Sequence, residues 1–171
     1  MICYHGSDVI VDIPKVLESK RPLDFGSGLY TTTSKEQAKN WAIKVSYRNN
    51  TKHKCVNMYE FNYDKAKQDL IIVEFDKADE KWLDFICDNR SGKYNGNYDI
   101  VIGPVADDKV YRVVVEYENS DIDKDLALKK LKAEKLCNQI LFHTHKSLEY
   151  LEYVNTEVLY NEWAKLWNTF I

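Results

Sequence analysis

Blocks of apolar residues along the chain predict an irregular succession of strands and helices. Runs rich in aromatic and β-branched residues, a composition typical of strands, occur at residues 1–5, 28–33, 55–63, 69–75, 98–102, 110–117 and 138–143. Apolar residues at helical spacing instead predict a helix after Ser34, a short helix near residues 82–86, a charged helix ending near Leu136 and helical structure from Leu148 onward. This mixture predicts an α+β fold, not the regular alternation of a doubly wound sheet.

Two of the predicted helices have further sequence features. The first has a capping motif at its start, and the last has an apolar stripe along one face. Ser34 is suited to cap the first helix, with Gln37 three residues on as its reciprocal capping partner. A C-terminal amphipathic helix at about 156–170 carries an apolar stripe, formed by Leu159, Trp163, Leu166, Trp167 and Phe170. This stripe either packs against the domain core or forms an exposed docking surface for a partner protein.

Composition and charge narrow the class of protein. A chain of 171 residues, with 44% hydrophobic and 30% charged residues, fits one globular domain over residues 1–171. The four cysteines lack zinc-ligand and redox-motif spacing, which favours free thiols over disulfides. The formal net charge of −3 gives no global attraction to nucleic acid or to an anionic membrane, so a nucleic-acid target would need a local basic groove.

The sequence contains no signal for a membrane or a metal. No stretch approaches the ~20 apolar residues of a membrane span, and the N-terminus has no export signal. We therefore expect a cytoplasmic protein without a membrane partner. His143 and His145 stand two residues apart, but without a third ligand of matching geometry they predict no metal site.

Three short segments carry the candidate chemistry when they are taken together. They are Tyr4-His5-Gly6-Ser7, Asp24-Phe25-Gly26-Ser27-Gly28-Leu29-Tyr30-Thr31-Thr32 and Asn138-Gln139-Ile140-Leu141-Phe142. A strand ending in His-Gly, a Gly-x-Tyr-Thr strand, a capped helix and a late strand that begins with Gln or Glu resemble the ADP-ribosyltransferase superfamily, in its branch with a His-Tyr-Glu triad. Further segments are Gln37-Ala38-x-x-Trp41-Ala42, Asn89-Arg90 and Tyr98-Asp99-Ile100-Val101-Ile102-Gly103-Pro104-Val105-Ala106-Asp107-Asp108. With them the chain looks closer still to a bacterial family known only as a domain of unknown function, and the resemblance runs from about residue 2 to residue 155.

The resemblance implies a fold and a set of residue roles. The implied fold is ADP-ribosyltransferase-like, with two packed, mostly antiparallel sheets that form a split β core with flanking helices. His5 would hydrogen-bond the adenosine ribose of NAD⁺, Gly6 would offer backbone groups to the nicotinamide amide, and Tyr30 would stack on the nicotinamide ring. Gly26 and Gly28 would let the preceding loop turn under the cofactor. Ser34 aligns with a serine that some relatives use on the amide, although helix capping also explains it.

Gln139 departs from the pattern of active relatives. They commonly place a glutamate here, which grips the ribose 2′-hydroxyl and stabilises the positive charge of an oxocarbenium-like transition state. Glutamine keeps the hydrogen bonds and loses the charge, and the loss of such a group typically costs about 10²–10³ in rate. Three explanations stay open. A carboxylate from Asp99, Asp107 or Asp108 supplies the charge, the acceptor is reactive enough without it, or the protein binds NAD⁺ or ADP-ribose and transfers nothing.

The expected function is transfer of ADP-ribose from NAD⁺, as substrate, to a protein or nucleic-acid acceptor, with His5, Tyr30 and Gln139 as the central residues and no metal. Cys137 stands where arginine-directed relatives carry an additional glutamate, so arginine is not the expected acceptor. Small transferases of this kind suggest a bacterial toxin held in check by an antitoxin partner, or a defence effector. The alternative is a weakly active or inactive NAD- or ADP-ribose-binding interaction protein with the same fold.

Overall fold

The structure, a computed structural model, describes residues 1–19, 23–94, 96–104, 108–132 and 138–160. Its strands are β1 (Ile2–Ser7), β2 (Leu29–Thr32), β3 (Cys55–Phe61), β4 (Ile72–Glu74), β5 (Ile100–Pro104), β6 (Asn138–Phe142) and β7 (Leu151–Val158). Its helices are α1 (Lys35–Asn49), α2 (Tyr63–Asp69), α3 (Glu80–Arg90), α4 (Asp108–Glu118), α5 (Lys124–Leu131) and α6 (His145–Leu148). This mixture of strands and helices confirms the predicted α+β class.

The chain divides into two compact units, of which unit 1 contains Met1–Pro14, Thr31–Asn62 and Leu151–Ile171. Its strands follow the order β2-β1-β3-β7, and each neighbouring pair is antiparallel. Helix α1 packs against β1 and β3. The side chains of Cys3, Tyr59 and Phe61 are fully buried, so the alternate positions of β1 and β3 supply the core of this unit.

Unit 2 contains Lys15–Tyr30 and Tyr63–Tyr150. Strand β5 pairs in parallel with β4 and antiparallel with β6, and helix α4 contacts both α3 and α5. The core is a single cluster of buried residues that includes Phe25, Trp82, Leu83, Phe85, Ile86, Tyr98, Val101, Val110, Val114, Leu131 and Leu141. Its aromatic rings meet at edge-to-face or tilted angles, which is the arrangement that ring quadrupoles favour.

The seven strands are ordered in one open sheet, whereas the resemblance to ADP-ribosyltransferases implies two packed sheets. The α+β class therefore stands, and the ADP-ribosyltransferase arrangement stays a prediction, as does the single domain over residues 1–171. Within the described ranges, no helix is long and apolar enough to cross a membrane.

Helix α1 begins where the sequence predicts, and Ser34 caps it. The Ser34 side chain accepts a hydrogen bond from the backbone N–H of Gln37 at 3.3 Å. A reciprocal capping bond would join the Gln37 side chain to the Ser34 N–H, but Thr32 lies between them. The Thr32 hydroxyl accepts a hydrogen bond from the Ser34 N–H at 3.0 Å and donates one to the Gln37 side chain at 2.7 Å. The cap therefore ties the end of β2 to the first turn of α1.

Residues 110–117 lie in helix α4, so the strand predicted there is wrong. The run Val113-Val114-Val115 favours a strand by local propensity. Val110 and Val114, however, are four residues apart and both fully buried, which is the spacing of one helical face. Burial of that face in the core of unit 2 outweighs the weak local preference.

Residues 151–158 form strand β7, so the helix predicted from Leu148 onward is wrong beyond that residue, where α6 ends. Strand β7 pairs with β3 from Leu151 to Val158. The apolar spacing of this segment is compatible with a helix or a strand, and the pairing with β3 makes it a strand. Of the helix predicted at about 156–170, residues 156–158 belong to β7, and residues 161–171 lie outside the described residues. The strand predicted at 69–75 is reduced to β4, since residues up to Asp69 belong to α2.

Three of the cysteines, Cys3, Cys55 and Cys87, are free thiols, and Cys137 lies outside the described residues. Cys3 is fully buried in β1, and Cys87 is half-buried in α3. Burial disfavours the charged thiolate, and it raises the pKa of both Cys3 and Cys87 to about 11. These thiols are therefore kept in the neutral, unreactive form.

Candidate functional site

A short loop in unit 2, residues 25–28, leads into β2 and is here named the glycine loop. Three successive carbonyls of this loop are each bound by a ring-bearing side chain. Tyr98 Oη donates to Phe25 O, Tyr30 Oη donates to Gly26 O and His143 Nδ1 lies against Ser27 O, each at 2.6 Å. Since a peptide carbonyl only accepts hydrogen bonds, the three side chains fix the orientation of three consecutive peptide units.

Two positions of the glycine loop admit only glycine. Gly26 has a φ of +87° and Gly28 a φ of +147°, in the region that side chains with a Cβ rarely adopt. A Cβ on Gly26 would lie 2.8 Å from Tyr98 Oη, and one on Gly28 would overlap the carbonyl oxygen of Phe142. The sequence analysis explained Gly28 by the turn of the loop. Close packing against the end of β6 is a second reason why glycine is required at this position.

Tyr30 closes the glycine loop with its hydroxyl. Besides donating to Gly26, the hydroxyl accepts a hydrogen bond from the backbone N–H of Phe25 at 3.2 Å. The side chain is half-buried and packs against the apolar cluster of unit 2. Burial raises the pKa of Tyr30 above its ordinary value, so the hydroxyl keeps the proton that it donates. The ring is therefore held by its own loop.

Tyr98 and His143, which lie far from the glycine loop in sequence, also support it. Their ring centroids are 4.7 Å apart with an interplanar angle of 44°. Tyr98 is 4% exposed, and burial raises its pKa to about 12, which keeps its hydroxyl a donor. His143 is half-buried and directly follows β6. The two rings hold each other and the loop carbonyls in one arrangement.

Gln139 lies near the start of β6, where it is half-buried. Its register partner on β5 is Gly103, and residues directly opposite in an antiparallel pair share one face of the sheet. A Cβ on Gly103 would lie 3.3 Å from the ring of Phe25. Gln139 therefore occupies the face of β5 and β6 that carries the first residue of the glycine loop.

A buried charged cluster joins the segment before the glycine loop to α3. The side chain of Arg90 is 9% exposed, with Nε 3.8 Å from Asp24 Oδ1 and Nη1 3.6 Å from Glu118 Oε2. The guanidinium also lies 4.4 Å from the ring centroid of Tyr111, a cation–π distance. Nη1 is buried and has no hydrogen-bond partner. Burial raises the pKa of Asp24 in spite of the attraction of Arg90.

Unit 1 holds the other predicted residues, His5 and Gly6 in β1 and Ser34 before α1. His5 is half-buried and pairs in register with Asn57 of β3. Gly6 is buried, and a Cβ there would overlap the carbonyl oxygen of Ala38 in α1. Close packing of strand against helix therefore requires glycine at position 6, whatever its backbone binds. Ser34 is engaged as the cap of α1.

Of the three carboxylates that were candidates for supplying the missing charge, only the side chain of Asp99 lies among the described residues. Both oxygens of Asp99 accept hydrogen bonds, from the Thr144 hydroxyl at 2.7 Å and from the Ile71 N–H at 3.0 Å. Asp99 thus holds the start of α6 against the end of α2, and a role in catalysis stays a prediction. Asp107 and the side chain of Asp108 lie outside the described residues.

Unit 2 also contains an open cavity of about 620 Å³, which is apart from the glycine loop. It is lined by Asp76, Lys77, Ala78, Asp79, Glu80, Lys81, Pro104, Leu128, Leu131, Lys132 and Asn138. Within the described part of the chain, no three His, Cys, Asp or Glu side chains are grouped to hold a metal ion.

Sequence reasoning missed the supporting residues of the glycine loop. It weighed His143 only as a metal ligand and gave Tyr98 no separate role. The Tyr98–Phe25 bond joins residues 73 positions apart, and the His143–Ser27 bond joins residues 116 apart. A single sequence contains no signal for such distant partners.

Comparison with known proteins gives one family. The model of the family described as "protein of unknown function (DUF3990)" matches residues 1–153. No curated protein and no solved structure matches the chain. The family description states no activity, so the resemblance to ADP-ribosyltransferases stays a prediction. Because the match covers most of the sequence, the chain belongs to the DUF3990 family.

Proposed function

We propose that this protein is an NAD-dependent ADP-ribosyltransferase with a macromolecular acceptor. The observation that carries the proposal is the glycine loop, in which Tyr30 is fixed at a turn that only glycines form. A ring fixed in this way is preorganised to stack on a planar ligand, because little side-chain entropy is lost on binding. Nicotinamide is the planar group that the resemblance implies.

In the proposed reaction the bond between nicotinamide and the ribose C1′ breaks, and the bond electrons leave with nicotinamide. A nucleophilic atom of the acceptor then bonds to C1′ and loses its proton. Positive charge develops on the ribose during this exchange, as in glycoside hydrolysis. Gln139 is the proposed partner of the ribose, and its amide oxygen is a neutral acceptor with a weaker electrostatic effect than a carboxylate.

Binding of NAD⁺ to the purified full chain is the first test, by calorimetry. We expect Tyr30→Ala and His5→Ala each to weaken binding by about 1 kcal/mol or more, the size of a lost stack or hydrogen bond. Tyr47→Ala is the matched control, because Tyr47 lies on α1 and is 78% exposed. Absence of binding at millimolar NAD⁺ would reject the proposal.

A specific observation favours a second candidate, a non-catalytic protein that binds NAD⁺ or ADP-ribose. It is the glutamine at position 139, which lacks the charge that transfer uses. Gln139→Glu separates the two candidates in an assay of nicotinamide release. A gain of at least about tenfold, within the range expected for such a group, supports transfer. Unchanged turnover with intact NAD⁺ binding supports the binding protein.

The biological role that we propose for this activity is that of a bacterial toxin or a defence effector. Expression without an antitoxin partner is expected to slow bacterial growth, and His5→Ala is expected to restore it at equal soluble expression. Normal growth at high expression of the wild-type chain would count against a toxin, but it would leave the NAD⁺-binding test unaffected.

A further inference from the structure

We propose that His143 is a further ligand-binding residue of this site, whose Nε2 accepts a hydrogen bond from an N–H or O–H group of bound NAD⁺. The inference rests on the proposed function. It deepens that function by assigning a contact to a residue outside the three segments on which the resemblance depends.

The tautomer of His143 follows from its partner. Nδ1 lies 2.6 Å from the carbonyl oxygen of Ser27, and a carbonyl oxygen has no proton to give. Nδ1 must therefore carry the proton. In a neutral imidazole the other nitrogen, Nε2, then has an open lone pair and acts as an acceptor.

The ring of His143 is also held in place. It leans on the Tyr98 ring with 4.7 Å between centroids, and its backbone N–H donates to Asp99 O at 2.8 Å. A Cβ on Gly28 would lie 3.1 Å from the His143 Cα, so the glycine loop lies directly on this residue. The acceptor Nε2 is thus fixed beside the loop that holds Tyr30.

His143 is only partly buried, and among the described residues its Nε2 makes no hydrogen bond. The side chain is half-buried, and Nδ1 makes the one side-chain hydrogen bond of His143 within the part of the chain that the structure describes. A fixed acceptor on a partly exposed side chain selects a ligand group that donates. NAD⁺ offers three kinds, the carboxamide N–H of nicotinamide, the hydroxyls of its riboses and the amino group of adenine.

Two substitutions separate ligand binding from support of the loop. His143→Asn keeps an amide N–H near the position of Nδ1 and lacks any atom at Nε2. His143→Gln reaches the position of Nε2 with an amide oxygen and loses the contact with Ser27. His53→Asn is the control, because His53 is exposed.

We expect His143→Asn to weaken NAD⁺ binding about fivefold to tenfold, the effect of one lost hydrogen bond, and His143→Gln to bind more tightly than His143→Asn. A residue that only supports the loop predicts the reverse order, since the Asn variant would keep the Ser27 contact. The same titrations with nicotinamide and with ADP-ribose identify the donor, because only the fragment that carries it loses affinity in His143→Asn.

The nitrogen NMR signals of the His143 ring provide a readout independent of activity. In the free protein, Nδ1 is expected to be protonated and Nε2 bare, and NAD⁺ is expected to shift the Nε2 signal. NAD⁺ binding that leaves this signal and the affinity of His143→Asn unchanged overturns the role of His143 alone. A wild-type chain that binds no NAD⁺ overturns the proposed function, and this inference with it.

Discussion

Units 1 and 2 each bury a strongly polar side chain, but only unit 1 satisfies it. Asn57 in β3 is fully buried. Its Oδ1 accepts from the Val11 N–H at 2.8 Å and from the Thr156 hydroxyl at 2.7 Å, and its Nδ2 donates to the Ser7 hydroxyl at 3.0 Å. The side chain of Arg90 in unit 2 is 9% exposed, yet its charge lies 3.6 Å or more from both carboxylates, and Nη1 has no hydrogen-bond partner.

The difference distinguishes a polar side chain whose burial is fully compensated by hydrogen bonds from one whose burial is compensated only in part. A neutral, fully bonded amide fixes three strands and the segment after β1 without leaving a polar group unsatisfied. A buried guanidinium with long ion pairs does not recover its desolvation cost through them. Arg90 lies beside the segment that leads into the glycine loop, so the less satisfied cluster of the molecule adjoins its candidate site, where such costs are usually tolerated.

Asn57→Ala is expected to have the largest effect. It removes the hydrogen bonds to the Val11 N–H and to the Ser7 and Thr156 hydroxyls, each worth about 1 kcal/mol, so we expect a loss of about 3 kcal/mol in the free energy of unfolding. Urea denaturation measures this loss. Asn155→Ala is the control, because Asn155 is exposed on β7. An equal, small effect of both substitutions would show that the Asn57 network contributes little.

Arg90→Met is expected to cost less, about 2 kcal/mol, although breaking a well-formed buried ion pair typically costs more. The cost is smaller because the contacts are long and because Asp24 can take up a proton when Arg90 is absent. The double variant Asp24→Asn/Arg90→Met is expected to recover part of the loss by removing the buried carboxyl group. No recovery in the double variant would show that the two residues are not coupled.

Tyr98→Phe removes one donor from the glycine loop and is expected to cost about 1 kcal/mol. Tyr63→Phe is the control, because the Tyr63 hydroxyl bonds Glu74 in an exposed pair. Thermal unfolding measures both variants. If Tyr98→Phe also weakens NAD⁺ binding while Tyr63→Phe does not, the loop carbonyls matter to the site; equal binding in both variants would separate loop support from ligand binding.

Asp24→Asn is expected to give the smallest effect, a change in the pH dependence of stability. The pKa of Asp24 is raised, mainly by burial, so the folded protein holds this proton more tightly than the unfolded chain. Ionisation of Asp24 therefore lowers stability as the pH rises through its folded pKa. The variant is expected to gain stability relative to wild type between about pH 3 and pH 7. A relative loss would mean that the attraction of Arg90 dominates.

Local signals in the sequence were sufficient for elements with one strong cue. The cap at Ser34 and the strands β1, β2, β3, β5 and β6 were predicted near their observed positions. Local signals were insufficient where contacts with distant residues determine the secondary structure. Burial in the core of unit 2 makes α4 a helix, and pairing with β3 makes β7 a strand. For the same reason the sequence indicated Tyr30 and Gln139 as candidates but gave no signal for the support of the glycine loop by Tyr98 and His143.

The buried thiol of Cys3 reports how often its segment of unit 1 opens. Its pKa is raised to about 11, so only about one thiol in ten thousand is ionised at pH 7. Because the side chain is also fully buried, alkylation requires the surrounding segment to open. The modification rate of Cys3, measured by mass spectrometry, therefore records the frequency of this local opening without any engineered probe.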